Sequence, residues 1–325
     1  MNSKAYHETA DRALARASYD PRRLVLIHMG VTCLLSALLL LLDFLLEKGI
    51  GSTTSGLSGM GSRAVLSTVQ SLLQSLQMAF LPFWSVGYTY ATLQILRGQE
   101  AGPRCLLQGF RIFLPVLTST LLMLLTCIGV LMLVSIVAVQ LLSFTPFGAN
   151  LLSAAEPLLA SGMAQMDEAA LLAVYDAVLP ISMISFAVSA LALFVFSYRF
   201  RLLYFTVCDD AQYGGRIALF TSRKLMQGCK MELFRLDLHF WWYYLILALL
   251  TVLAYGDMFL SMVGIRLPWS SSVSAAVFYV LYVLGTLAVS VLAKNTVSVA
   301  YAAFYQEKRR QFQEKMQEMN PSSPR

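Results

Sequence analysis

The chain has 325 residues, of which 58% are apolar and 13% charged, against roughly 45–50% and about 25% in an average globular domain. That composition excludes a soluble enzyme, a disordered protein and a secreted scaffold built on disulfides. The formal net charge of +6 is small, so its distribution along the chain carries more information than its size.

A bilayer core about 30 Å thick needs roughly 20 apolar residues of helix to cross it. Six stretches supply them: 24–46, 72–96, 112–142, 178–197, 236–254 and 273–293. Helices satisfy their own backbone hydrogen bonds in lipid, and the alternating ten-residue pattern of a β-barrel does not appear. The reading is an all-α protein with six transmembrane helices.

In chain order, residues 1–23 form a polar N-terminal tail. The span 24–46 that follows is too long for the apolar region of a secretory leader and lacks a small-residue cleavage pattern, so it reads as a retained first span. The loop 49–61 is rich in Gly and Ser and reads as a flexible connection; its Gly56, Gly59 and Gly61 have the wrong order and context for nucleotide binding. Residues 64–96 suit one long helix whose early turns put Ser67, Gln70, Ser71, Gln74, Ser75 and Gln77 on one side, and Pro82 predicts a kink. The connection 143–177 carries Glu156, Asp167, Glu168 and Asp176 without Lys or Arg. Asp167 and Glu168 suit the first turn of a short helix through Leu171, Leu172 and Tyr175.

The next connection is the largest on the other side. Asp209 or Asp210 is placed to cap a helix running to about Gln227, with Gly228 at the C′ position where positive φ is cheap. Ile217, Phe220, Leu225 and Met226 mixed with Arg216, Arg223 and Lys224 make this a short interfacial helix. Phe240 to Tyr244, then Tyr301 and Tyr305, suit membrane interfaces, as does Trp269 on the opposite side. The charged end, residues 306–325, is a second tail.

Basic residues set the orientation. Of the 24 Lys and Arg, 21 fall in the N-terminal tail, the second and fourth connections and the C-terminal end; Lys48, Arg63 and Arg266 are the exceptions. The positive-inside rule therefore puts both termini in the cytoplasm. The inner side then holds 21 basic and 11 acidic residues, the outer side 3 and 7. Cys33 and Cys127 lie in spans, Cys105, Cys208 and Cys229 on the inner side, and CxxC pairs are absent. That usage implies neither a disulfide framework nor a structural zinc site.

Two hexapeptides, Leu106-Leu107-Gln108-Gly109-Phe110-Arg111 and Leu225-Met226-Gln227-Gly228-Cys229-Lys230, precede spans three and five in the same orientation, the pattern of a parallel internal repeat. The block Ser222-Arg223-Lys224-Leu225-Met226-Gln227-Gly228-Cys229-Lys230, followed by Leu233-Phe234-Arg235-Leu236-Asp237-Leu238 and Trp241, resembles the most recognisable segment of the bacterial membrane family called domain of unknown function nine-seven-five. Gly87 through Arg97-Gly98-Gln99-Glu100, Gly109-Phe110-Arg111, and Ala300-Tyr301-Ala302-Ala303-Phe304-Tyr305 resemble its other blocks. The resemblance covers about residues 20–305. His239 stands where Ser is common, and the acidic outer insert is long. It implies a multi-pass bacterial cytoplasmic-membrane protein with Ser222, Gly228 and Asp237 as structural motif residues, and supplies no activity.

Candidate chemistry is sparse. The span centres lack charged residues, which argues against a pump built on buried carboxylates and against intramembrane proteolysis. His28 and His239 both fall near the inner face and read as interfacial histidines. No catalytic constellation, metal site or cofactor motif is present, so an enzyme is not expected. Two residue sets remain. Gln70, Ser71, Gln74 and Gln77 form a polar face that either lines a hydrated crevice or joins helices. Arg216, Arg223, Lys224 and Lys230 form a basic cluster suited to anionic headgroups or an acidic partner. The expected function is a non-enzymatic membrane scaffold or accessory factor whose partners are lipids and other membrane proteins or further copies of itself. Nucleic acid is not a partner, because the charge is dispersed along the membrane face. The alternative is a channel or transporter for a small solute that uses the polar face of span two.

Overall fold

An apolar chain satisfies its backbone polar groups locally in helices, and the computed structural model is helical wherever it is regular among the residues it describes: 3–51, 58–146, 148–150, 153, 168–256 and 271–319. The helices are α1 (Ser3–Ala15), α2 (Pro21–Gly51), α3 (Ser58–Leu96), α4 (Gln108–Arg111), α5 (Phe113–Ser143), α6 (Glu168–Ser197), α7 (Leu203–Asp209), α8 (Gly215–Leu225), α9 (Lys230–His239), α10 (Trp241–Ala254), α11 (Ser271–Val289) and α12 (Asn295–Met319). A π-helical turn, Ser290–Lys294, joins α11 to α12.

Four helical runs are long and apolar enough to cross a membrane: Pro21–Leu39, Phe113–Ser143, Val178–Asp209 and Ala276–Glu318. Of the last, only the apolar first half suits lipid. A fifth candidate is the pair α9 and α10, bent by 68° at Phe240. The expected second span, within α3, is not among them. Gln70, Gln74, Gln77 and a run of Ser, Thr and Tyr hold its hydropathy down, although the helix continues through Pro82 for 39 residues. The expected fifth span also changes: its residues 236–239 belong to the helix Lys230–His239, which is bent away from the apolar Trp241–Ala254.

Several connections differ from expectation. Residues 49–51 and 58–61, read as loop, are helical; 52–57 lie outside the described residues, as do about half of the acidic connection and the segment with Arg266 and Trp269. Glu168 begins α6, so the short helix expected there is continuous with span four. Residues 3–15 of the N-terminal tail form helix α1, and α12 continues through the C-terminal tail to Met319.

The chain divides into two compact units, residues 1–119 with 202–325, and residues 120–201. In the second, the apolar later part of α5 meets α6 through small residues. Ser135 Oγ and Ser189 Oγ lie 2.9 Å apart, and Ala138, Ser185 and Ser189 are buried. Close approach at small side chains plus a hydroxyl hydrogen bond is how apolar helices associate where lipid is as greasy as leucine.

The larger unit is centred on α3 and α12. A Cβ at Gly87 would fall within bonding distance of the Leu106 carbonyl oxygen, and one at Gly109 would collide with the Phe83 carbonyl. The two glycines therefore let α3 and the 103–111 segment cross backbone to backbone. Phe83 stacks on Phe113 at 4.8 Å and on Phe110 at 5.6 Å beside this crossing. Helix α1 lies on α12, with Tyr6 and Ala10 buried and the Tyr6 ring 5.6 Å from Phe304. The two hexapeptides do not fold alike. Gly109 is helical and buried in α4, whereas Gly228 has φ 78° in an exposed turn.

Candidate functional site

The polar chemistry of the larger unit collects where α3, α7, α9 and α12 come together. Arg97, just beyond α3, places Nη2 2.8 Å from Asp209 Oδ2. Arg309 of α12 spans both acidic neighbours, with Nη1 3.0 Å from Asp209 Oδ2 and Nη2 2.8 Å from Asp210 Oδ1. The Tyr305 hydroxyl donates to Asp209 Oδ2 at 3.1 Å and accepts from Arg309. One turn away, Lys308 Nζ lies 2.6 Å from Glu232 Oε2 of α9. Lys308 is only 6% exposed, so its carboxylate partner compensates for desolvation that an unpaired ammonium could not bear.

The electrostatics agree with this geometry. Burial, and then the Asp209 carboxylate, push the Tyr305 pKa up, so the phenol stays a donor. Burial would lower the Arg309 pKa, but Tyr305, Asp209 and Asp210 outweigh it and raise it. Burial likewise works against protonated Lys308, and Glu232 more than offsets it. Glu307 is pushed up by burial but held below the usual carboxylate range by the Tyr6 hydroxyl and the neighbouring Lys308.

These residues fasten elements together. The two arginines face two aspartates, and no nucleophile–base pair is set up among them. Two clefts flank the cluster. One, of about 310 Å³, runs between α8 and α12 and is lined by Tyr213, Ile217, Leu225 and Phe312 with Asp210 and Arg309. The other is an open groove lined by Arg97, Asp209, Arg309 and Arg310.

Helix α8 carries exposed basic charge beside the cluster. It buries Gly215, Ala218, Ser222 and Leu225 and exposes Arg216, Ile217, Phe220, Arg223 and Lys224. Its start abuts α5 closely, where a Cβ on Gly215 would meet Pro115 O and Ser119 N at 2.5 Å. Thr206 Oγ1 ties α7 to α8 by donating to Ala218 O at 3.0 Å. Lys224 Nζ sits 4.6 Å from the Phe220 ring centroid. Lys230 lies apart from the other three, half-buried at the start of α9. The expected cap is not made. The helix starts at Gly215, preceded by Gly214 at φ 83° without a side-chain cap, because Asp209 ends α7 and Asp210 caps its C-terminus, away from the first turn of α8.

The other anticipated residues are placed as follows. Gln77 Nε2 donates to Ser36 Oγ of α2 at 2.8 Å. Gln70 is half-buried, Ser71 and Gln74 are exposed, and the Ser71 hydroxyl bonds back to Ser67 O at 2.8 Å. Ser222 is fully buried. Asp237 accepts from Tyr301, whose hydroxyl is 2.7 Å from that of Tyr244. His239 meets His7 (5.4 Å between centroids), whereas His28 stacks on Tyr88 (4.6 Å).

Sequence reasoning passed over Arg97, Tyr305, Lys308 and Arg309 as site residues. The one available signal was the adjacent Asp209-Asp210 pair in a connection otherwise dominated by Arg and Lys. The model of the family described as "Protein of unknown function (DUF975)" matches residues 32–310, a range that holds the whole cluster. No curated protein and no solved structure matches the chain.

Proposed function

The chain belongs to the DUF975 family of proteins of unknown function, and from that premise we propose that it is a non-enzymatic, multi-pass scaffold or accessory factor of a bacterial cytoplasmic membrane, acting through lipid and helix contacts. On this reading it has six spans with both termini in the cytoplasm. Its partners are anionic lipids and other membrane proteins or further copies of itself.

One observation carries the reading: apolar and charged surfaces are segregated. Helix α5 exposes Leu114, Leu121, Leu125, Leu133 and Ile136, each more than 60% accessible, a surface that suits contact with lipid or with another membrane helix. The ion pairs of Arg97, Arg309 and Lys308 instead gather beside α8, whose exposed arginines and lysine flank exposed Ile217 and Phe220. An amphipathic helix of this kind lies in the interface plane and draws anionic headgroups to its basic edge. The bond from Gln77 to Ser36 supports the helix-joining reading of the polar face over a crevice.

The test is reconstitution of the full chain into vesicles, with solute flux and co-purifying membrane proteins measured in parallel. The scaffold reading expects captured partners and no flux above that of empty vesicles. Substrate-dependent flux that disappears when Gln70, Gln74 and Gln77 are replaced by Leu would install the transporter reading in its place.

A further inference from the structure

The most unusual cation of the chain lies outside the ion-pair cluster. Lys294 ends the π-helical turn Ser290–Lys294, a local geometry that recurs at functional sites. Its Nζ donates to Met29 Sδ of α2 at 3.1 Å and sits 5.0 Å from the Tyr88 ring centroid of α3. A thioether is a weak acceptor, and an ammonium has three donors to place. Arg97, Lys308 and Arg309 each pair with a carboxylate, whereas among the described residues none pairs with Lys294.

A second, independent observation points to the same spot. His28 of α2 is 6% exposed and stacks on the same Tyr88 ring, and its Nδ1 is buried without a hydrogen-bond partner. The neighbouring polar groups are already engaged. Trp84 Nε1 donates to His28 O at 2.9 Å, Tyr88 OH to Asn295 Oδ1 at 2.9 Å, and Asn295 Nδ2 to Pro21 O at 2.7 Å. Among the described residues, the ammonium and one imidazole nitrogen, both set around Tyr88, thus keep hydrogen-bonding capacity to spare. In the tautomer protonated on Nδ1, both donate, so the complementary ligand is an anion with several acceptor oxygens. Lys294 stands at the end of the apolar run of α11, where α12 begins with Asn295.

We propose that Lys294 and His28 form a site for a phosphate group at the junction of α2, α3 and the π-helical turn, filled by the headgroup of an anionic phospholipid or by free phosphate. The site uses the membrane reading for the lipid source and is independent of the scaffold role and of α8.

The experiment uses the full chain in maltoside micelles, which carry no phosphate. Melting temperature and ligand retention in native mass spectrometry are read on adding phosphatidylglycerol in one arm and inorganic phosphate against chloride at equal ionic strength in the other. In at least one arm the unaltered chain is expected to melt higher and retain the ligand, and that arm identifies the source. Lys294→Met, which keeps the apolar stem, should weaken retention roughly tenfold or more, the scale of one charge-assisted hydrogen bond. Lys294→Arg should keep binding, and His28→Phe, which preserves the stack, should reduce it. If neither arm shows a response that depends on Lys294 in variants eluting as the parent does, the proposal is overturned. An unchanged response in the Arg216, Arg223 and Lys224 triple Gln variant assigns it to this site and not to α8.

Discussion

At the residue scale, the tightest constraints are Gly87 and Gly109, whose missing side chains let two backbones cross. Alanine at either position forces the carbonyl of Leu106 or Phe83 away, and overpacking of this kind costs about 1–3 kcal/mol. Thermal unfolding in detergent should show both variants melting well below the parent, while alanine at Gly129, which has open space around it, changes little. Asp209 is the next such residue, since one carboxylate receives Arg97, Arg309 and Tyr305. Asp209→Asn leaves two guanidinium groups short of an anionic acceptor and should destabilise by about 2 kcal/mol, the scale of a lost hydrogen bond to a charged group. Arg309→Lys should fall short of rescue, because an ammonium cannot span Asp209 and Asp210 as the planar fork does.

At the element scale, α1 is held to α12 by Tyr6 on Phe304 and by the surroundings of Glu307. The pH dependence follows from the sign of the Glu307 shift. Its folded pKa lies below the ordinary 4.5, so it favours the docked state at neutral pH, and that contribution is lost as pH falls below about 4.5 through the lowered folded value. Hydrogen exchange of the α1 amides should accelerate over that window in the parent, and Glu307→Gln should flatten the dependence. Helix α8 permits a separate test. Each basic residue near an anionic leaflet contributes roughly 1 kcal/mol. Phe220→Trp fluorescence in lipid discs should be quenched by brominated anionic lipid, and replacing Arg216, Arg223 and Lys224 by Gln should remove the preference for anionic over neutral lipid. The sequence made this helix legible because its signals are local, apolar and basic residues at helical spacing; its bounds were less so, since it runs Gly215–Leu225 with Met226 at the C-cap and the positive-φ Gly228 lies two residues further on. It did not reveal the carboxylate cluster, since Arg97 and Arg309 reach Asp209 across 112 and 100 residues, and spacing says nothing about such pairs. The same limit hid α1, whose composition resembles a tail until α12 supplies a surface for Tyr6 and Ala10.

At the scale of the whole molecule, the helical class and the family were legible because apolar composition and short motif blocks persist over most of the chain. The number of spans was less so, because hydropathy counts stretches and not geometry. Helix α3 is polar in its first half, and α9 meets α10 at 68°. Orientation rests on the asymmetry of Lys and Arg, and it has consequences that separate the candidate arrangements. If α3 and the α9–α10 pair both cross, six spans return the chain to the side on which it began. If α3 crosses and the bent pair re-enters on its own side, the count becomes five and the termini part. Reporters fused after Ala15 and after Met319 decide between them. Both termini inside gives green fluorescence and inactive alkaline phosphatase at each position, the outcome expected from 21 of 24 basic residues falling in the two tails and the second and fourth connections. The docking of α1 on α12 makes the same demand by a separate route, because two helices that pack on one another must share a compartment. A phosphatase signal at one end alone would therefore contradict both the charge asymmetry and the α1–α12 contact, and would point to a re-entrant α9–α10 pair.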